Sequence, residues 1–491
     1  MEFSTSEKDG DESMPHTSSA HVSYEMYRGN YEHFHLRLQA TLACAMEQND
    51  SALTQELLAL EGINRDVGKH HLYESTHQDR VHPESRLPFR VSPEPFVLPE
   101  NVRNSITVYG RAITEYYKAC ASLLAELPAD HRWRKYLDHH KPDSMVQSLR
   151  ESIPSHIFLR PDFVLTDGDP VVTEIETSPF GLALSHFLNV SYTRVGKNTM
   201  VNPDAFPDTF LRETLGTEAK GRHLCFALTD YTKKYAGQFA FLADNFRASG
   251  VDASVAMVDD LELHDDEISS NGRRVDALYR GFYLHEATRD HKVAALLQQA
   301  GKRIFPSCKP QLEEKALMAM LWEPELQSNL QQRLGANFTV LQKIIPPTWV
   351  LDPQHPPSFP FEISSWSDVA KLSRKQRMFV LKTSGFSAQS SWAKGVTFLE
   401  KLSQDKCRET INASLADTDN LYVLQQFRKG TDFTHKYFDF HARAMKEMRG
   451  RVRFTPYYAV RDGKLLTAKA TLCENTDYIH AMVDSINAPV I

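Results

Sequence analysis

The chain has 491 residues, 41% of them hydrophobic and 24% charged, with a formal net charge of −7. That length allows a large core and two to four domains, and the acidic balance leaves no broad basic surface to make nucleic acid a main partner. Nucleotide binding stays compatible with it. No run of about 18 apolar residues occurs, and the opening residues are polar and acidic, so the expectation is no secretion leader, no membrane span and a cytoplasmic location. Cys44, Cys120, Cys225, Cys308, Cys407 and Cys473 are scattered without CxxC pairing, which predicts reduced thiols rather than a zinc site or a disulfide framework.

Residues 1–30 are rich in Ser, Glu, Asp and His and read as disordered. Residues 31–150 read as a largely helical N-terminal region. From Phe34 to Leu60, the apolar residues Leu36, Leu38, Leu42, Ala45, Met46, Leu53, Leu57 and Leu60 fit one or two amphipathic helices. Lys69 to Pro99 is rich in proline and contains His70, His71, His77 and His82. None of these histidines has the spacing of a ligand pair on a helix, so the stretch reads as a solvated connection. Asn104 to Leu127 places Ile106, Ile113, Tyr117, Cys120 and Leu124 on one side of a helix that Pro128 ends.

Residues 151–305 open with the most informative segment. Phe158–Leu165 and Val171–Thr177 are β-rich runs on either side of Thr166-Asp167-Gly168-Asp169-Pro170, which is strong turn chemistry. A hairpin centred on Gly168 puts Asp162 opposite Glu174 and Arg160 opposite Glu176, all on one face because strand side chains alternate. Directly opposed like charges destabilise a sheet by roughly several tenths of a kcal/mol. A bound Mg²⁺, which takes one or two carboxylates plus substrate phosphates, would remove that cost; a solvent-facing salt bridge is the plainer reading of the same residues. Further on, His223–Leu228, a helix from Tyr235 to Ala248 and Ala253–Val258 form a βαβ unit. Asp276–Phe282 reads as a third strand ending at Arg280, where open α/β sheets bind anions.

Residues 306–491 read as α+β. Leu312–Trp322 is expected to be a helix bearing Lys315. Arg377–Lys382 is a strand that delivers Lys382 into the small-residue loop Thr383–Ser391, with Lys394-Gly395 beyond it. Such a loop handles phosphate, its backbone amides closing over oxygens that the lysine neutralises. The GxxxxGK[ST] pattern of a P-loop is absent. Leu421–Phe427, which carries Gln425 and Gln426, is a further strand, and Arg453–Val460 with Lys464–Leu472 forms a closing hairpin.

The order and spacing of these pieces, from about Phe158 to Ile491, resemble the circularly permuted ATP-grasp proteins, in particular the synthetase domain of glutathionylspermidine synthetase. The matching features are Arg160-x-Asp162, Glu174-x-Glu176, Ser178-Pro179-Phe180-Gly181, Lys315 to Trp322, Lys382 to Gly395, and a strand glutamine. The resemblance implies an α+β / α/β architecture: an ATP-grasp domain over residues 306–491 and a Rossmann-like substrate domain over 151–305. The likeness leaves out the helical N-terminal extension; the expectation that this region caps the cleft or forms a homodimer surface is a separate one. The resemblance implies ligation of a small-molecule carboxylate to an amine through an acyl phosphate, with ADP and phosphate released. Asp162, Glu174 and Glu176 would then hold Mg²⁺, and Lys315, Lys382, Gly385, Gln425 or Gln426, and Lys469 would bind ATP. Arg160 and Arg280 would be the catalytic cations. Two positions depart from the family: Glu176 replaces an Asn, and Lys469 stands near a usual Arg, whose bidentate fork it cannot reproduce. A nucleotide-binding scaffold and a small-molecule kinase are the rival readings.

Overall fold

The computed structural model describes residues 35–70, 89–148, 157–178, 180–264, 267–356, 363–391, 394–474, 476–479 and 485–491. The expected disorder of residues 1–30, and His71, His77, His82 and Pro179, lie outside them. The chain is mixed α/β, and its described strands form four sheets. Among the described residues no helix is long and apolar enough to cross a membrane. All six cysteines are free thiols.

The largest sheet runs in the order Arg90–Val91, Ile486–Ala488, Leu465–Glu474, Ala444–Ala459, Phe158–Val164, Val171–Glu176, with Asp432–Asp439 also paired to Ala444–Ala459. The boundary expected at 305/306 therefore runs between strands of one sheet. Its closing hairpin starts earlier than the sequence suggests, at Ala444. Arg160 faces Glu176 and Asp162 faces Glu174, the register expected of the hairpin. Beyond Asp162 the pairing shifts so that Phe163 faces Val172, which skips Thr173. Such a bulge takes one residue out of the ladder and re-aims its groups, and Thr173 uses this freedom at the site.

A second sheet is parallel, ordered Ile304–Phe305, Ala277–Gly281, His223–Leu228, Asp252–Met257, with the helix Ala236–Ala248 as a crossover. The expected βαβ unit is present. Phe226 stacks on Phe239 and Phe246, and Phe210 packs on Phe246 and Tyr279. Each such fully buried ring is worth about 1.5–3 kcal/mol against exposure. A third, antiparallel sheet is ordered Thr348–Val350, Tyr422–Gln426, Phe379–Thr383, Val396–Phe398. The fourth is small, Leu261–His264, Glu267–Ser270 and Arg273–Arg274.

The N-terminal helices belong to the same body. The Glu100–Glu126 helix buries Ile106, Ile113, Tyr117, Cys120 and Leu124 in a core shared with Phe163, Phe454 and Leu317, and Tyr458 Oη donates to Ile106 O at 2.9 Å. One expectation is corrected here. Leu312–Trp322 is not a single helix: a 3₁₀ turn, Pro310–Glu313, is followed by a short helix, Leu317–Met320, with Lys315 between them. At the break Glu313, Glu314 and Lys315 each reach a different partner outside the segment.

Candidate functional site

Alternation along two short strands brings the ionisable groups of the hairpin together. Arg160 Nε donates to Asp162 Oδ1 at 2.8 Å and Nη2 to Oδ2 at 3.2 Å, a bidentate fork. Its Nη1 donates to Phe180 O at 2.7 Å and lies 2.9 Å from Glu176 Oε2. From the adjacent strand, Arg453 Nη1 donates to Asp162 Oδ2 at 3.0 Å. Burial pushes the Asp162 carboxyl up, but Arg160 and Arg453 outweigh it and hold the group below the usual range. Glu176 behaves in the opposite way. Burial, with the charges of Glu174 and Asp162 added, exceeds the pull of Arg160 and lifts its carboxyl to about 7.

The two lysines read from the last third of the chain meet this hairpin. Lys315 Nζ lies 2.7 Å from Glu174 Oε1 and donates to Ser390 O at 2.8 Å. Lys382 Nζ donates to Thr173 O, the carbonyl released by the bulge, and to Gln425 Oε1, both at 2.7 Å. Gln425 Nε2 is held in turn by Thr348 Oγ1 at 3.2 Å. Burial is the largest influence on Lys382 and brings its ammonium down to about 8. Lys469 is fully buried and donates to Thr471 Oγ1 at 2.7 Å and Asn487 Oδ1 at 2.8 Å. Its pKa falls well below the usual value, through burial first and then through Arg453 and Arg160.

The ionisable groups among these line one cavity of about 260 Å³ between the large sheet and the third sheet. It contains Arg160, Asp162, Glu174, Glu176, Lys315, Lys382, Gln425, Gln426 and Lys469. The hairpin gives the cavity a direction. Val164 and Val171 stand about 13 Å along the strand from Arg160 at ~3.3 Å per residue, and with Val380, Val396, Phe398 and Phe427 they supply an apolar wall. Beyond Arg160, the wall is Phe180 with Tyr235 and Tyr283, whose ring centroids lie 4.7 and 5.0 Å from that of Phe180. The ionic groups occupy the stretch between these walls.

Two residues expected at the site are placed elsewhere. Gly385 lines a smaller adjoining recess with Glu174, Glu176 and Lys315, and its N–H donates to Glu314. Arg280 lines neither space; it is buried, donating to Phe282 O at 2.8 Å and Pro306 O at 3.3 Å and pairing with Glu313. Arg453, Thr173, Thr348 and Tyr457 escaped sequence reasoning. The strand Arg449-x-Arg451-x-Arg453 carries a cation at every second position, a signal that could have exposed Arg453. Tyr457 Oη donates to Phe180 O at 3.2 Å, a contact between residues far apart in sequence that nothing local announces.

Among the described residues no group of three or more His, Cys, Asp or Glu forms a metal site. The three hairpin carboxylates differ in their readiness to hold a cation. Both Asp162 oxygens are engaged by arginines, whereas Glu174 and Glu176 share a strand face, line both spaces and are only partly buried. Glu176 Oε2 is ion-paired with Arg160 Nη1 but accepts no aligned hydrogen bond among the described residues. Hard oxygen donors of this kind fit Mg²⁺.

No protein-family model matches the sequence, and no curated protein matches it. Among solved structures, the fold is similar to that of a glutathione synthetase-like effector from Globodera pallida in its apo form. The TM-score is 0.52 at 9% identity, over 88% of this chain and 96% of that one. A putative gamma-glutamylcysteine synthetase from Methylobacillus flagellatus KT aligns at a TM-score of 0.41 and 9% identity, over 78% of this chain and 86% of that one. The first of these likenesses identifies the fold as glutathione synthetase-like.

Proposed function

We propose that the chain is an ADP-forming, ATP-dependent carboxylate–amine ligase on a circularly permuted ATP-grasp fold, acting in the cytoplasm on small-molecule substrates. The observation that carries this reading is the meeting of the hairpin carboxylates with Lys315 and Lys382 in one cavity, although the two groups come from distant parts of the chain. A glutathione synthetase-like fold, shared with a protein described as a glutathione synthetase-like effector, supports it. The adenine would lie against Val164, Val171, Val380 and Phe398, its edge near Gln425 and Gln426, and the acceptor against Phe180, Tyr235 and Tyr283.

Lys315 and Lys382, each held by a carbonyl and an acceptor side chain, would neutralise phosphate oxygens. Glu174 and Glu176, with Asp162 behind them, would hold Mg²⁺, which spreads the charge of the triphosphate when bound. Arg160 is aimed by Asp162 and the Phe180 carbonyl toward the acceptor end, where it would orient the substrate carboxylate and steady the acyl phosphate through charge-assisted hydrogen bonds. Phosphoryl transfer asks the protein mainly for position and charge, and rigid buried cations supply both. Arg280 would contribute from outside the cavity, by fixing Glu313 beside the Lys315 turn.

A non-catalytic nucleotide-binding role has one observation in its favour: Asp162 is fully engaged by two arginines. Incubating the protein with Mg-ATP and a panel of amino acids, polyamines and small peptides decides between the readings. The ligase predicts ADP release that depends on a carboxylate and an amine together. ATP binding with no ADP release under any condition would leave the scaffold, and a stable phosphorylated product that amine does not convert would indicate a kinase.

A further inference from the structure

We infer that Glu314 is a positioning residue that mounts Lys315 and the Ser384–Ser390 loop on the N-terminal helical region, and that the Gly385 and Phe386 amides of this loop serve Glu314 rather than phosphate. The inference rests on the ligase reading for its catalytic consequence only. Glu314 Oε1 lies 2.6 Å from Lys141 Nζ and accepts from the Phe386 N–H at 3.2 Å. Its Oε2 accepts from Ser384 Oγ and the Gly385 N–H. Ser384 Oγ also accepts from the Ala316 N–H at 3.1 Å, so the two segments are stitched on either side of Lys315. Lys315 itself closes the far end of the loop through Ser390 O.

A second observation is independent of these bonds. A Cβ on Gly385 would come 2.7 Å from Glu313 O and 2.9 Å from Glu314 Cδ. Glycine is therefore required there by the close approach of the loop to the Glu313–Glu314 turn. Both charged side chains are nearly inaccessible, 1% for Lys141 and 2% for Glu314. A buried carboxylate without a counter-ion is strongly unfavourable, so Lys141 is what keeps Glu314 ionised against its burial, together with the Ser384 and Gly385 donors. Lys141 comes from the helical third of the chain, just ahead of the Asp143–Ser148 helix. The N-terminal region thus supplies the cation on which the Lys315 mount depends.

The test compares Glu314→Gln, Lys141→Met and Lys141→Arg in the full chain. A glutamine side chain offers one acceptor oxygen in place of two, and its amide group opposes the loop donors. Hydrogen exchange of the 384–390 backbone should accelerate about tenfold or more in Glu314→Gln and Lys141→Met, with Lys315 becoming more reactive toward an amine-acylating reagent and the parallel sheet unchanged. Lys141→Arg should restore both. In turnover, KM for ATP should rise about tenfold with KM for the carboxylate unchanged, a split that general loosening of the fold would not produce. Unchanged exchange and unchanged Lys315 reactivity in the two disruptive variants would overturn the inference. If the wild-type chain shows no turnover, the ligase reading fails, while exchange and labelling still decide the role of Glu314. Should Glu314→Gln fail to fold, the Lys141 pair supplies the same comparison.

Discussion

Arg280 and Lys382 look alike in the sequence, each a cation at the end of an apolar strand, yet the structure uses them differently. Arg280 ends its strand in the parallel sheet with its three guanidinium nitrogens taken by two carbonyls and Glu313, facing no cavity. Lys382 is also buried, but its partners are a carbonyl freed by a β-bulge and a glutamine side chain, and it faces the cavity beside Gln425. A strand-end cation thus becomes structural or functional according to what the opposing chain offers it. Arg280, saturated and facing no cavity, is a strut; Arg160, whose nitrogens also have carbonyl and carboxylate partners, differs in lining the cavity. Neutral partners at the rim of a cavity leave charge for a ligand.

That contrast is sharpest under mutation. Lys382→Met should lower ADP release about 100-fold or more, the scale of losing one electrostatic donor to the transition state, with little change in Tm. Arg280→Met should do the reverse, costing about 3–5 kcal/mol of stability because it removes a fully buried guanidinium from Phe282 O, Pro306 O and Glu313. Denaturant unfolding beside ADP release measures both effects. An Arg280 variant of normal stability and abolished turnover would break the comparison. Asp162→Asn is intermediate. It should lose both stability and rate, because Asp162 neutralises Arg160 and Arg453 as well as facing the cavity.

Two pH effects refine the picture. Burial brings Lys382 down to about 8, so ATP affinity should fall as pH rises through that value, and a Lys382→Met titration should be flat over the same range. Glu176 is the inverse case: its carboxyl is raised to about 7 by burial, so the folded state holds more protons than the unfolded chain between its usual pKa and 7. Stability should decline as pH rises through that window. Mg²⁺ affinity should weaken as pH falls below 7. Glu176→Asn should remove both dependences, the smallest of the expected changes; calorimetry across pH reads the first and Mg²⁺ titration the second.

The hairpin was legible because two short-range rules converge on it: turn chemistry sets its centre, and alternation sets its face. Its register follows, down to Arg160 opposite Glu176 and Asp162 opposite Glu174. The bulge at Thr173 was not legible, since it is imposed by pairing with the rest of the sheet, and with it went the partner of Lys382. The βαβ unit was legible for the same local reasons. The Lys315 segment misled because its apolar residues fit a helix while Glu313, Glu314 and Lys315 are each drawn to partners contributed by distant segments. The sequence marks Gly385 as part of a loop that closes over phosphate; the structure closes that loop on the Glu313–Glu314 turn, where a Cβ would not fit.

The central claim is that hairpin carboxylates and two later lysines hold one Mg-triphosphate. A crystal structure of the protein with Mg²⁺ and a non-hydrolysable ATP analogue tests it most directly. The account predicts phosphates between Lys315 and Lys382, the metal on Glu174 and Glu176, and the base against Val164 and Val380. A nucleotide bound away from the Arg160–Glu176 hairpin would contradict it.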